Sequence, residues 1–388
     1  MLTRTINLIY GVFVVAWGVS FYAWLSLLND FMHKGVITLG QYLWTIAGAA
    51  AMYILAIAVH EAGHWFGGRA VGFIGTQFVV LWLRVERHGP RWMLKWAKRP
   101  AKLGGMVVQY PTSGYRLRRR KFLSVAAGPA ANLLTALLAL VLEKALMPPA
   151  WAQPGAPQVV VSAELLMFSL LSLFMGSTNL LPRKLTATQS NDGHLLWRLW
   201  RREPALDRLL VVSALTGSSC AGLRPRDWDP SLLNRLLKTA DGSAMDCNAS
   251  TYAYLHHIDA DRSDLARPHL NHFLEQRTLL LPRHQQMICC EAAYFAVRYD
   301  RDVARAQQWL DCAQQAKSFE GTEGDFTQAV VAWALGQYKE AHDHFKRAEA
   351  GPLVHDANDI GSYLLALDRF ADLRARLAAG TAPVTAAD

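Results

Sequence analysis

His60, Glu61 and His64 stand in the pattern His60-Glu61-Ala62-Gly63-His64. On a helix, residues four apart share one face, so both imidazoles reach one metal ion. Glu61 then sits beside that ion, placed to take a proton from a water. The motif follows directly on the apolar stretch Tyr53 to Val59. An acid inside a membrane-spanning helix costs about 2.5–3.5 kcal/mol at mid-helix on insertion scales, so three polar residues there need a reason. Metal ligation supplies one. The plainer alternative is a cluster of side chains reaching for the membrane surface.

Two histidines leave zinc short of a catalytic set, which has three protein ligands and one open position. Glu164, Asp192 and His194 are the candidates for the third. Glu164 falls near the outer end of a later apolar run, far from His64. Asp192 falls just past the inner end of that run, at the depth of His60 and His64, and precedes a helical Leu195-Leu196-Trp197. Asp-Gly alone reads as a turn. His194 stays open as a rival ligand.

The elements that must position these groups are apolar. The chain has 388 residues, of which 52% are hydrophobic and only 18% charged, which excludes a disordered chain, a collagen and a small disulfide scaffold. Four apolar runs, about 8–28, 39–59, 122–142 and 160–181, meet the need for about 20 residues to cross a bilayer. The first is too long for the apolar core of a secretory signal and is expected to be a retained span. Residues 1–182 hold 16 Lys+Arg against 5 Asp+Glu, whereas 183–388 hold 24 against 26, so the net charge of +9 belongs to the first half. Thirteen of those cations lie in 66–121, between the second and third runs, and the link 148–159 between the third and fourth has no charge. The positive-inside rule places 66–121 and both termini in the cytoplasm. The cluster Arg116, Arg118, Arg119, Arg120, Lys121 suits an anionic surface, but its place between apolar runs makes it a marker of orientation. No nucleic acid is expected as a partner.

Within the basic loop, Gln77 to Val85 and Met106 to Tyr110 are rich in β-branched and aromatic residues and read as short strands beside the membrane. An exposed edge there would accept an unwound substrate as an added strand. Beyond Arg201 the pattern turns helical and soluble. Residues 201–230 read as a linker, with Arg224 to Pro230 its clearest part, and 231–388 as a helical domain. In that domain Ala296-Val297 with Tyr299, Ala334-Leu335 with Tyr338, and Ala366-Leu367 with Phe370 each mark a helix end, with a weaker copy near Tyr252. The five cysteines are odd in number, have no zinc spacing and read as reduced thiols of a cytosolic compartment.

Three motifs in order give a resemblance. His60-Glu61-Ala62-Gly63-His64, then Asn179-Leu180-Leu181-Pro182, then Asp192-Gly193 resemble the site-2 protease family of intramembrane zinc metalloproteases. Gly128-Pro129-Ala130-Ala131-Asn132 resembles that family's middle-helix motif. The resemblance covers about 60–200. It implies Zn2+ held by His60, His64 and Asp192, Glu61 as general base, and Asn179 and Asn132 bonding near the site or holding substrate. The commoner family form places the Asp about eight residues after the Asn. Here the gap is thirteen, Asn191 precedes Asp192, and the polar insert 183–190 must loop out and return, as in a divergent bacterial branch. The helical domain resembles degenerate tetratricopeptide repeats, whose period is about 34 residues.

The expected protein is therefore an α-helical membrane protein with about four transmembrane helices, a small interfacial β element and a soluble all-α repeat-like domain. Its membrane metalloprotease domain is expected over 1–200, in a bacterial inner membrane, cutting a transmembrane protein substrate near the cytoplasmic face of the lipid bilayer. The helical repeats are expected to offer a surface to a protein partner. The alternative is a catalytically silent membrane scaffold that recruits partners through those repeats; a zinc-dependent transporter fits less well, because the four runs show no internal repeat.

Overall fold

A computed structural model describes residues 2–89, 91–99, 101, 104–146, 157–185, 190–238, 244–315, 321–351 and 359–380. The chain divides into two units, 1–111 with 115–207, and 112–114 with 208–388.

The first unit is built on α1 (Leu2–His33), α2 (Leu39–Ala70), α3 (Leu117–Leu146) and α4 (Pro157–Leu180). All four helices are long and apolar enough to cross a membrane, and they contain the four expected runs except Leu181 at the end of the fourth. Most of the uncharged link 148–159 lies outside the described residues. Helix α2 opens on a capping box. Thr38 Oγ1 accepts from Gln41 N, and Gln41 Oε1 accepts from Thr38 N. It runs eleven residues past the apolar stretch, so the whole His60–His64 motif is helical. Arg120 ends it, donating from Nε to Val71 O at 2.6 Å and from Nη2 to Gly72 O at 2.8 Å, a cation on the helix C-terminus. Helix α4 stops before Leu181-Pro182, because the residue before a proline is driven out of the helical region.

Helices α2, α3 and α4 pack on one another, and α1 lies against α4, where Trp24 Nε1 donates to Ala163 O at 3.0 Å. Close approach of α2 to α3 depends on small residues: a Cβ on Gly63 would stand 2.5 Å from Ala127 O.

The β element is a four-stranded antiparallel sheet of β1 (Phe73–Val80), β2 (Leu83–His88), β3 (Arg91–Trp96) and β4 (Gly105–Pro111), in the order β3-β2-β1-β4. Gln77 to Val85 is thus not one strand. It turns back at Leu81 and Trp82, with Leu81 in the left-handed region at φ 49° and Val80 paired to Leu83. Strands β3 and β4 are the edges. Trp65 of α2 holds the sheet, packing against Phe78 at 6.0 Å and Trp92 at 5.6 Å between ring centres. Gly75 leaves the room that the Trp65 ring needs.

Beyond α4, the short α5 (Asp192–Trp200) belongs to the first unit, and α6 (Pro204–Cys220) begins there. The expected linker 201–230 is corrected by the structure. Helix α6 fills much of it, burying Leu206, Leu210, Val211, Ala214 and Leu215 at helical spacing. Arg224 to Pro230 is ordered too: a 3-10 turn spans Pro225–Asp227, Trp228 is buried, and Asp229 caps α7 (Pro230–Leu237).

The second unit continues with α8 (Ala244–Asp259), α9 (Ser263–Glu275), α10 (Pro282–Phe295), α11 (Val303–Gln314), α12 (Thr322–Ala334), α13 (Tyr338–Ala350) and α14 (Ile360–Ala379). Helices α8 and α9, α10 and α11, and α12 and α13 form three hairpins in series. Positive φ at Asp261, Arg301 and Gly336 turns the chain in each. The expected third break, after Ala366-Leu367, does not occur. Ala366, Phe370 and Leu373 all lie on the inner face of the uninterrupted α14.

Candidate metal centre

Helix α2 brings His60 and His64 to one face, and the N-terminus of α5 brings Asp192 to the same point. His60 Nε2 and Asp192 Oδ2 are 3.0 Å apart, the two histidine Nε2 atoms 3.2 Å, and His64 Nε2 and Asp192 Oδ2 3.3 Å. Tetrahedral ligands about 2.0–2.1 Å from zinc stand about 3.3 Å from one another, so this triangle has the size that one ion requires. These three residues are the one group of three or more such side chains among the described residues that fits a metal ion. Two imidazoles and a carboxylate are a donor set suited to zinc.

Neighbouring groups orient these side chains. His64 Nδ1 lies 3.1 Å from Ser124 O, so its N–H points at α3 and its Nε2 lone pair is free for a metal. Gly128 of α3 leaves room for that ring; a Cβ there would collide with His64 Nε2. Gln109 of β4 donates from Nε2 to His64 O at 2.9 Å and to Ser124 Oγ at 2.7 Å, tying strand, ligand helix and α3 together. Burial pushes the Asp192 carboxyl up, but the hydrogen bonds and charges of His60 and His64 outweigh it and hold it well below the ordinary carboxylate range.

Glu61 is buried one step along α2, with its carboxylate against Gly105 at the start of β4, where a Cβ would strike it. Glu61 and the edge strand are therefore neighbours.

Asp192 owes its place to Asn191, whose role the sequence reading did not assign. Asn191 Oδ1 accepts from His194 N at 3.1 Å as the α5 cap and from Arg183 N at 2.9 Å. Its Nδ2 donates to Leu181 O at 2.6 Å and Thr178 O at 3.3 Å. One side chain thus staples the end of α4 to the start of α5. The ends of the insert 183–190 meet, Lys184 and Ser190 forming a β-bridge; the expected loop between them, 186–189, lies outside the described residues. Gly193 lets α5 approach α4, since a Cβ there would stand 2.8 Å from Asn179 O. An Asn directly before the first helical residue is the sequence signal of this cap.

The other candidates separate. His194 is not in the cluster; its Nδ1 is buried without a partner, and burial, then Arg198 and Lys184, push the imidazole down. Glu164 lies against Gly48, twelve residues before His60 and so about 18 Å away along α2. Asn132 is fully buried and donates from Nδ2 to Ala56 O at 3.3 Å, one turn before His60, so it acts on the backbone of the ligand helix. The Asn179 side chain is half-buried, with no hydrogen-bond partner among the described residues, and its main chain adjoins Gly193. Compared with known proteins, the chain matches no family model, no curated protein and no solved structure.

Proposed function

We propose that the chain is an intramembrane zinc metalloprotease, related to the site-2 proteases, that hydrolyses a peptide bond in or near a transmembrane segment close to the cytoplasmic face of a bacterial inner membrane. The observation that carries this reading is the triangle of His60 Nε2, His64 Nε2 and Asp192 Oδ2 beside a buried Glu61, on helices long and apolar enough to cross a membrane. Zinc held by these three side chains would supply Lewis acidity, activating a water and polarising the scissile carbonyl. Glu61 takes the water's proton and passes it to the leaving amine. A substrate helix satisfies its backbone internally and must be unwound before attack. Strand β4 is an edge strand, and Gly105 at its start touches Glu61, so a segment added to that edge would pass the base. The helical hairpins of the second unit are proposed to resemble tetratricopeptide repeats and to receive a partner.

The test has two readouts. Purified Glu61→Gln is expected to keep its zinc, and membranes from cells carrying it are expected to accumulate an uncut transmembrane fragment absent from wild type. Zinc in the wild-type protein with identical membrane proteomes would favour the silent scaffold, and a protein that purifies without zinc and binds none would sink the metalloprotease reading.

A further inference from the structure

The second unit contains a cavity of about 350 Å3, enclosed by α8, α9, α10, α14 and the first turn of α12. That lies at the lower end of the usual range for small-molecule sites, about 300–1,000 Å3. Its apolar wall includes Trp228, Tyr252, Leu270, Phe273 and Met287. The charged groups in its lining are Glu291, Glu323, Asp359 and Arg369, with His284 as a further titratable group.

Three of the four charges are already engaged. Arg369 forks onto Glu291, with Nη1 to Oε1 at 2.6 Å and Nη2 to Oε2 at 3.1 Å, and its guanidinium lies 4.4 Å from the centre of the Tyr294 ring. Tyr254 donates its hydroxyl to Glu291 Oε2 at 2.8 Å. Asp359 caps α14 through Ser362 N and accepts from Ser219. Glu323 differs. No hydrogen-bond donor or ion-pair partner meets its carboxylate among the described residues. Burial, then the charge of Glu291, pushes the group up to about 7, and the charges of Arg369 and Arg283 do not offset this. A half-buried acid without a counter-charge pays part of its desolvation cost, and a cation in the cavity would offset it.

We propose that this cavity binds a small organic amine, whose ammonium group pairs with Glu323 and whose apolar body lies among the aromatic side chains. A carboxylate ligand is disfavoured, because three acids face the cavity against one arginine that Glu291 already neutralises. A bare metal ion is disfavoured as well, because Glu323 is the one unengaged carboxylate and the walls are aromatic. Aromatic faces attract organic cations, and Asn248, Thr251 and Ser362 offer neutral oxygens to the remaining N–H groups. An alkylammonium could come from a free amine or from a lysine side chain. The small volume favours the free amine. This proposal is independent of the metal centre.

The test is calorimetric titration of the full-length protein in detergent micelles at about pH 8, where Glu323 is mostly ionised. Tryptamine is the probe. Indole-3-acetate, with the same ring and the opposite charge, is its control, and a blocked Gly-Gly-Lys-Gly-Gly peptide forms a third arm. Tryptamine is expected to saturate while indole-3-acetate gives no binding. Glu323→Gln is expected to weaken tryptamine about tenfold or more, the loss of a charge-assisted pair. Equal binding of the two indoles overturns the proposal using wild type alone. So does the absence of saturable tryptamine binding, or tryptamine binding unchanged in Glu323→Gln. Binding of the lysine peptide without tryptamine overturns the free amine and assigns the cavity to a protein side chain.

Discussion

Asp192 Oδ2 lies 3.0 Å from His60 Nε2, although 132 positions separate the two residues in the chain. A hydrogen bond between carboxylate and imidazole accounts for so close an approach, and under the proposed function a shared cation would replace it. Asp192→Ala is therefore expected to reduce bound zinc at least about tenfold and to abolish cleavage, as the loss of one of three ligands requires. His194→Ala is expected to leave the zinc in place, since that ring lies outside the ligand cluster. Metal analysis of the two purified variants decides the matter, and the reverse pattern would overturn the ligand assignment.

Asn191 is expected to matter nearly as much as a ligand without being one. Asn191→Ala removes a helix cap worth about 1 kcal/mol and also unties α5 from Thr178, Leu181 and Arg183. Loss of a group that orients a ligand lowers metal affinity about 10–100-fold. Asn191→Asp keeps the acceptor for His194 N but loses both amide donors, so its zinc affinity is expected to fall between those of wild type and Asn191→Ala. Competition with a chelator ranks the three proteins. Equal affinities would show that Asp192 is held by something else.

What the sequence revealed follows the range of the interactions. His60 and His64 were legible because their relation is one helical turn. The four long helices were legible because membrane length and apolar composition are local properties. Asp192 needed the family resemblance, since its partners are far away in the chain. Strand β3 escaped notice because its side chains are exposed and mixed in polarity. The supposed linker misled because Pro225 and Pro230 punctuate a segment whose Trp228 is buried. No glycine or turn-forming pair interrupts Leu367 to Phe370, so α14 runs on past the expected break, whereas Gly336 and Arg301 turn the chain at their hairpins.

The Glu323 carboxyl gives the second unit a pH signature. Its folded value of about 7 stands above the ordinary 4.5. Between those values the folded protein binds the proton and the unfolded chain does not, so stability is gained on acidification through that window and lost as pH rises through it. The shift corresponds to at most about 3 kcal/mol. Glu323→Gln carries no charge, so its melting temperature relative to wild type is expected to rise as pH goes from about 5 to 8. Thermal unfolding of both proteins across that range reads this directly. A constant difference would mean that Glu323 ionises as readily in the fold as out of it.

Strand β4 is expected to serve cleavage apart from serving the fold. It pairs with β1 along one side, and no strand among the described residues pairs with its other side. In an antiparallel pair the N–H groups of a strand point alternately to its two neighbours, so along Met106 to Tyr110 some face β1 and some face the open edge. Proline removes an N–H. At positions facing β1 it is expected to weaken the sheet, and expression and zinc content fall with cleavage. At positions facing the open edge the sheet keeps its bonds, and only a substrate strand loses one. A proline scan over these five residues, measuring cleavage of the accumulated fragment beside zinc content and expression, is therefore expected to split into two classes. The class that loses cleavage alone marks the edge that holds the substrate beside Gly105 and Glu61. If cleavage falls only where zinc content and expression fall too, β4 is a prop for the ligand helix, through Gln109 and His64, and the substrate reaches the metal by another side.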